Sequence, residues 1–433
     1  MTTSINYQQL KSPHLIIIGG GFAGIELVKQ LSGKPIKVTL IDKNNYHTFQ
    51  PLLYQVASGG LGPDAIAYPL RKLIGRIPNI AFRMAKVEEI QLENQLVRTD
   101  IGEFSYDYLC IASGSATNFF GNKELQENSM ELKSIPQALD LRSKILQEFE
   151  KAVSGTESGK LERILNFVVV GGGPTGVETA GALAEIRKHV LPSDYTELDK
   201  TLMQVHLVEA SERILAAMSA NSSQKAKEFL EQLGVKVHLK TAVQSYDGQV
   251  LKLSDGRTME TNTLIWAAGV KGEVPAGIEA SNLGRGNRIL VNGFNQINGY
   301  ENAFAVGDVA FMSADEKYPN GHPMVAPVAV QQANLFAKNL ERKLAGQALV
   351  SFRYFDKGSM ATVGRHKAVL ESFGIKMQGY LAWLGWMFLH LMLLVGYRNR
   401  LVVFVNWLWN YLSYQRAIRL ITRPYTGKQS KGK

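Results

Sequence analysis

Leu15 to Gly24 reads LIIIGGGFAG, and the reading of this stretch decides the fold. Four aliphatic residues in a row, three of them β-branched, describe a strand buried on both faces, as in a parallel sheet. The run ends in Gly19, Gly21 and Gly24. The first glycine permits a tight turn, the second lets a pyrophosphate approach the backbone, and the third lets the next helix pack close to the strand. The helix then presents free N–H groups and the positive end of its dipole to an anion. A second strand, Lys37 to Ile41, ends at Asp42, about 20 residues beyond the turn, where an acid binding a ribose hydroxyl belongs. A glycine triplet alone is weak. Strand, triplet, helix, strand and acid in this order describe a dinucleotide site.

The same unit occurs a second time. Phe167 to Gly176 reads FVVVGGGPTG, with Gly171, Gly173 and Gly176 in the same register. Val205 to Val208 is the matching second strand and Glu209 the matching acid. The longer gap from Gly171 to Glu209 holds the polar stretch Arg187 to Lys200, which lengthens the helix and its exit. Glu26 and Glu178 each stand two residues past the third glycine. Two such units in one chain imply two dinucleotides, one a bound flavin and the other an exchanging nicotinamide.

Composition narrows the chemistry. The chain has 433 residues, 45% of them hydrophobic, with 40 glycines, which suits an α/β protein of two or three domains. The single cysteine, Cys110, sits in the apolar run Tyr108 to Ala112 and reads as a core residue. One cysteine permits no intramolecular disulfide, no redox pair and no cysteine metal site; no metal is expected. The net charge is +10, and no acid follows Glu371. Lys376, Arg398, Arg400, Arg416, Arg419, Arg423, Lys428, Lys431 and Lys433 supply nearly all of the excess. Interleaved with aromatic residues, these charges point to an anionic membrane surface rather than to nucleic acid.

Along the chain, Met1 to Pro13 is polar and reads as neither signal nor transit peptide. NYHTFQPLLYQVASGG, from Asn45 to Gly60, is too irregular for a long helix and too apolar for a free loop, and is expected to fold over a cavity. Tyr68 to Ile74 reads as a short helix, and Ile80 to Glu93 and Gln95 to Tyr106 as two antiparallel strands. A helix is expected from about Ser134, and VSGTESGK, Val153 to Lys160, separates the two units. AFAVGD, Ala303 to Asp308, is a strand followed by Gly307 and Asp308; that aspartate suits a helix cap, or the ribityl chain of a flavin. Gln331 and Gln332 follow on a helix and are either solvated or line a cavity. Phe352 to His366 reads as strand, turn, strand.

Tyr380 to Val395 is nearly all apolar with His390 as its polar interruption. At about 1.5 Å per residue it reaches about 24 Å, short of the about 30 Å of a bilayer core. A second helix is expected from Leu401 to Ile421, with Leu401, Phe404, Val405, Leu408 and Leu412 on one face and Asn406, Asn410 and Ser413 on another. Trp383, Trp386, Trp407 and Trp409 suit the headgroup level. Two such helices read as a monotopic anchor; the competing reading is a pair packed on the protein's own core or in a dimer interface.

LIIIGGGFAG, NYHTFQPLLYQVASGGL, VVVGGGPTGVETAGAL, AFAVGDVA, APVAVQQA and DKGSMATVGRHKAV together resemble the type II NADH:quinone oxidoreductases over essentially the whole chain. The resemblance implies two Rossmann-like domains in an α/β fold, with a C-terminal amphipathic membrane-anchoring region. Residues 1–125 and 281–345 would form the FAD domain, 160–280 the NADH domain and 346–433 the membrane region. It implies FAD held by Gly19, Gly21, Gly24, Asp42, Gly307 and Asp308, and NADH held by Gly171, Gly173, Gly176 and Glu209. Glu209 favours a free ribose diol over a 2′-phosphate, so NADH over NADPH, with Arg213 nearby as the counterargument. Glu178 is the candidate for hydride or proton transfer, and Gln331 and Gln332 match the pair lining the flavin–quinone cavity. Pro327 stands where the family pattern often has another glutamine. The implied protein is a homodimer on the cytoplasmic face of the bacterial inner membrane, passing electrons from NADH through FAD to a quinone without pumping protons. Disulfide reductases and sulfide:quinone oxidoreductases share the architecture but need paired cysteines. A reductase of a small electron-transfer protein, or a flavoprotein that senses NADH, are the other readings.

Overall fold

The computed structural model describes residues 12–75, 77–155, 161–413 and 419–428. Contacts divide the chain into two compact units, Met1–His47 with Tyr68–Ala116 and Val270–Asp356, and Thr48–Ala67 with Thr117–Gly269 and Lys357–Lys433. The partition drawn from the sequence follows the two glycine turns. The contact division differs from it in giving Thr48–Ala67 to the unit of the second turn, and in joining Lys357–Lys433 to that unit where the sequence partition sets 346–433 apart.

In the first unit, strands run in the order Ala303–Ala305, Tyr108–Ile111, His14–Ile18, Lys37–Asp42, Ile80–Met84, every neighbouring pair parallel. The aliphatic run is central, and Leu15, Ile16 and Ile17 are fully buried. Ile16 and Ile18 pack on one face with Leu109 and Ile111, Leu15 and Ile17 on the other with Leu27 and Phe336. The turn after the strand is possible only with glycine. Gly19 has φ +106°, and a Cβ there would lie 2.4 Å from the Ala112 carbonyl oxygen. A Cβ on Gly24 would lie 1.9 Å from the Gly19 carbonyl oxygen. The helix Phe22–Gln30 can therefore sit against the strand end only where both residues lack side chains.

The second unit repeats the plan: Met130–Glu131, Thr263–Trp266, Asn166–Val170, Gln204–Val208, Val235–His238, again all parallel. A Cβ on Gly176 would lie 1.8 Å from the Gly171 carbonyl oxygen. The helix Pro174–Glu185 runs on through a π-helical stretch, Ile186–Val190, into Leu191–Asp194, which accounts for the longer gap before Glu209.

Three expectations change in detail. The run Ile80 to Glu93 is two strands: Ile80–Met84 joins the parallel sheet, and Val87–Gln91 pairs antiparallel with Leu96–Thr99, itself paired with Gly102–Ser105. An alternation of period two does not distinguish one long strand from two legs in different sheets. In Phe352 to His366 only Ser359–Thr362 is a strand; it opens the antiparallel sheet completed by Ala368–Ser372 and Ile375–Gln378. The expected helix Leu401 to Ile421 is Tyr397–Ser413; residues 419–421 are not helical, and 414–418 lie outside the described residues.

The helices Tyr380–Leu393 and Tyr397–Ser413 meet at Gly396, φ +87°. Their polarity is inverted relative to a helix packed on a core. Leu401, Phe404, Val405, Leu408 and Leu412 are exposed, as are Leu381, Phe388 and Leu393. The inward face is made by Val403, Trp407 and hydrogen-bonding residues: Trp407 Nε1–H donates to Gln55 Oε1 (2.8 Å), Asn399 Nδ2–H to the Ala67 carbonyl (2.8 Å) and Asn410 Nδ2–H to the Gly60 carbonyl (3.1 Å). The pair does rest on its own unit, through Ala382, Trp386, Val403 and Trp407, but the stripe from Leu401 to Leu412 does not take part in that packing. The tryptophans also differ from expectation, because Trp386 and Trp407 are buried and only Trp409 is strongly exposed. The basic residues are largely paired: Arg398 with Asp64, Arg419 with Asp194, Arg423 with Asp140 and Lys428 with Glu131. Arg416, Lys431 and Lys433 lie outside the described residues. Among the described residues no helix is long and apolar enough to cross a membrane.

The glycine geometry gives a paired prediction. Gly24→Ala forces its methyl into the Gly19 carbonyl and should lower the thermal midpoint by several degrees, an overpacking cost of about 1–3 kcal/mol or more. A Cβ on Gly21 meets nothing within 4 Å, so with the flavin removed from both proteins Gly21→Ala should melt like the parent. Equal melting of the two variants in calorimetry would remove this account of the turn.

Candidate active site

The two turns are built alike. Asp42, at the end of its strand, accepts from the Gly20 N–H through Oδ2 and from the Asn44 N–H through Oδ1, each at 2.6 Å. Glu209 accepts from the Gly172 N–H through Oε2 at 2.5 Å and from the Ser211 N–H through Oε1 at 2.7 Å. In each unit the acid grips the residue between the first two glycines and its own second successor. Burial raises the Asp42 pKa, and the two amide donors oppose that shift. Arg213 turns away from Glu209 in hydrogen bonding, donating from Nη2 to the Ala216 carbonyl at 2.9 Å.

Both turns leave room for a phosphate. The helices Phe22–Gln30 and Pro174–Glu185 begin at Gly21 and Gly173, neither with a side-chain cap. A Cβ at either glycine would meet nothing within 4 Å. Uncapped N–H groups facing open space at a helix start fit a pyrophosphate. The first unit adds two supports. His47, buried, donates from Nδ1 to the Gly20 carbonyl at 3.0 Å; burial pulls its pKa down to about 4, so the ring is neutral. Gly307 donates its N–H to Gln332 Oε1 at 2.7 Å, and Asp308 Oδ2 accepts from the Ser115 hydroxyl at 2.6 Å. Asp308 caps no helix with its side chain; it faces Ser115, beside the strand end that Gly19 closes upon.

Gln331 and Gln332 part company. Gln332 is buried, 1% exposed, and holds the Gly307 turn. Gln331 exchanges two hydrogen bonds with the Phe355 backbone, at 2.9 and 3.0 Å. Pro327 falls in the first turn of the helix Ala326–Leu344, where a missing N–H costs nothing.

Glu178 and Glu26 diverge in the same way from equivalent positions. Glu26 is partly buried, its side chain 16% exposed, taking a hydrogen bond from Gln30 at 2.9 Å with Lys29 at 3.7 Å. Glu178 is buried, 7% exposed, and lines a cleft within the second unit. Tyr54, Thr362, Trp383, Trp386 and Trp407 supply other parts of its wall. Burial raises the Glu178 pKa from 4.5 to about 8. The Thr362 N–H, 3.4 Å from Oε1, and the Trp386 indole favour the carboxylate without matching that penalty. Trp386 Nε1 closes no hydrogen bond of ordinary geometry. At neutral pH Glu178 is therefore a carboxylic acid in an aromatic cleft, able to give a proton.

The stretch from Asn45 to Gly60 does reach a cavity, through Tyr54, Gln55, Ser58 and Gly60. The tryptophans of the C-terminal helices were read as interfacial, and three of them are cleft wall instead. Their signal was present in another form. Glu178, Ala182, Glu185 and His189 all line the cleft, at helical spacing on one face. His390 is tolerated in its apolar helix because its Nδ1–H bonds the Trp386 carbonyl (2.8 Å) and its ring stacks on Trp386 at 4.0 Å. Cys110 is fully buried and its thiol pKa is pushed up, so it is core.

Comparison with known proteins agrees in both halves of the chain. Residues 13–333 match the family model described as pyridine nucleotide-disulphide oxidoreductase, and residues 357–414 match the NDH2 C-terminal domain. A type II NADH:quinone oxidoreductase of Mycobacterium tuberculosis, Ndh, is 36% identical over 423 residues, covering 94% of this chain and 90% of the relative. The type II NADH:quinone oxidoreductase of Staphylococcus saprophyticus is 30% identical, covering 84% and 91%. NDH2 of Plasmodium falciparum, solved with NADH, superposes with a TM-score of 0.85 at 20% identity, covering 93% of this chain and 99% of that one, a likeness of fold.

The acid in the cleft predicts a pH dependence. Its folded pKa lies above its unfolded value, so the unfolded chain releases the proton first. The protein should lose stability as pH rises from about 4.5 to about 8 and then level off, a total on the order of 4 kcal/mol. Glu178→Gln should flatten this component of the midpoint-versus-pH curve and be the more stable protein at pH 8. An unchanged curve in the variant would show that Glu178 is ionised in the fold.

Proposed function

The chain belongs to the type II NADH:quinone oxidoreductases, and on that premise we propose how its own residues divide the work. FAD lies on the first turn, held by Gly19, Gly21 and Gly24 at the pyrophosphate, Asp42 at the ribose, and Gly307 and Asp308 at the ribityl chain. NADH lies on the second turn, on Gly171, Gly173, Gly176 and Glu209. Bound FAD supplies the redox chemistry, accepting a hydride from NADH and giving two electrons to a quinone. The protein positions the partners and manages protons. His47 and Gln332 fix the backbone of the FAD turns from behind.

The observation that carries the quinone assignment is Glu178, a carboxyl held protonated by burial in a cleft walled by tryptophan and tyrosine. A quinone is an apolar ring that takes up two protons with its two electrons. An aromatic cleft suits the ring, and Glu178 is the group there with a proton to give at neutral pH. Gln331, tied to the Phe355 backbone, keeps its amide in one orientation.

Membrane association is peripheral in this reading and runs through the exposed face of Leu401, Phe404, Val405, Leu408 and Leu412. We place the protein as a homodimer on the cytoplasmic face of the bacterial inner membrane, where reduced nicotinamide is made and quinone is at hand.

Three measurements test this. NADH absorbance should fall rapidly only when a short-chain quinone is added, and NADPH should serve far less well. Flavin reduction by NADH without quinone turnover would move the acceptor to a protein partner. Glu209 should set the cofactor preference: Glu209→Gln should raise the KM for NADH at least tenfold and narrow the gap to NADPH, an effect of about 1.4 kcal/mol in binding. The double variant Phe404→Glu, Leu408→Glu should move the protein from the membrane pellet to the supernatant with its flavin retained. If it stayed in the pellet, another surface would carry the association.

A further inference from the structure

Arg142 sits in the long helix Ile135–Ser154 and is 6% exposed. Its Nε and Nη1 donors have no hydrogen-bond partner. Among the described residues no carboxylate pairs with it; the only influence on its pKa is burial, which lowers it. An unpaired guanidinium in a protein interior is unfavourable, and water satisfies its N–H groups more readily than its charge. Arg142 lines a small cleft in the second unit. Opposite elements bring in Ser58, Gly59 and Arg419, and Ser58 also borders the larger cleft that holds Glu178. Arg419 is already paired with Asp194. The cleft therefore presents one uncompensated positive charge. Ile145, Leu146, Phe149, Ile186 and Val190 make up most of the remaining wall and offer no polar side chain.

We propose that this cleft binds the phosphodiester group of an anionic phospholipid, with Arg142 taking the unesterified oxygens and the aliphatic and Phe149 wall taking the carbon chain next to them. The charges match: a phosphodiester carries one negative charge, whereas inorganic phosphate carries close to two at neutral pH and would find no donors for its other oxygens on the apolar wall. A planar guanidinium suits the two free oxygens of a phosphodiester in bidentate fashion. The site rests on the reading of the protein as membrane-associated, and gives that association a preference in lipid that the paired basic residues of the C-terminal segment do not supply.

The test is thermal melting of the full chain with flavin bound, in the presence of dihexanoylphosphatidylglycerol kept below its micelle concentration. Dihexanoylphosphatidylcholine and inorganic phosphate serve as the comparison arms. The phosphatidylglycerol should raise the midpoint saturably, by about 5 °C, and the other two should not. Arg142→Met should abolish the rise and also melt higher than the parent without lipid, because it removes an unpaired buried charge. Arg142→Lys should keep part of the response. An equal rise with inorganic phosphate would make this a small-anion site and overturn the lipid assignment, as would no rise with phosphatidylglycerol. A Met variant that melts lower or loses its flavin would show that the guanidinium is satisfied within the fold, which also overturns it. The soluble lipid keeps this separate from membrane association. Failure of the wild type to sediment with vesicles sinks the membrane reading, while the melting shift still decides the site. The Phe404→Glu, Leu408→Glu variant should leave the vesicles and retain the shift.

Discussion

Two carboxylates, Asp42 and Glu209, each hold the amide of the residue enclosed by a glycine turn, and the arrangement on which function rests follows from that grip. The turn must bring a helix start within contact of a strand end. The absence of Cβ atoms at Gly19 and Gly24, and at Gly171 and Gly176, makes the approach possible. It does not make it rigid, since glycine carries the largest backbone entropy to lose. A buried or half-buried acid accepting two N–H bonds supplies the rigidity, because a charge-assisted hydrogen bond is about twice as strong as a neutral one. The same acid lies where a ribose would meet it. Cofactor recognition and turn geometry are thus carried by one side chain, and a substitution at either acid acts on both.

The cleft of the second unit shows how one duplicated position acquires a separate use. Glu26 and Glu178 are equivalent by register, yet one, partly exposed, takes a lysine and a glutamine while the other is sealed under Thr362 and Trp386. Nothing about the helix itself separates them. The difference comes from the C-terminal segment, whose strand Ser359–Thr362 and two helices bring tryptophans over Glu178 and remove its water. The Thr362 amide at 3.4 Å and the Trp386 indole are together too weak to offset that desolvation, so the proton stays. The C-terminal segment therefore sets the protonation state of a residue that the glycine-turn helix contributes.

Much of this was legible in the order of residues. The aliphatic runs, glycine triplets and terminal acids repeat closely enough to give both parallel sheets. What was not legible has physical causes. Tryptophan favours both a membrane interface and an aromatic cavity wall, and composition does not distinguish them; Trp386 and Trp407 took the second role. A charge run reads the same whether its members face solvent or find acids elsewhere in the chain, and Arg419, Arg423 and Lys428 found them. His47 stands in a quoted motif that assigns it no part, and Arg142 stands in none. Each acquires its part only from what the fold places beside it, the Gly20 carbonyl in one case and an apolar cleft in the other.

The paired charges bear on which force holds the chain at a lipid surface. A basic residue near an anionic leaflet gains about 1 kcal/mol, and a surface ion pair within the protein is worth a similar amount or less. Leaving Asp194, Asp140 or Glu131 for a headgroup would therefore gain little for Arg419, Arg423 or Lys428. The exposed aliphatic and aromatic side chains face no such competition. For Leu401, Phe404, Val405, Leu408 and Leu412 full burial gains about 1.5–3 kcal/mol each, and the inward face of the same helix is already occupied by Val403, Trp407 and the bonded asparagines. For these residues apolar burial outweighs charge, and the lipid preference proposed above draws instead on Arg142, whose buried Nε and Nη1 donors have no partner.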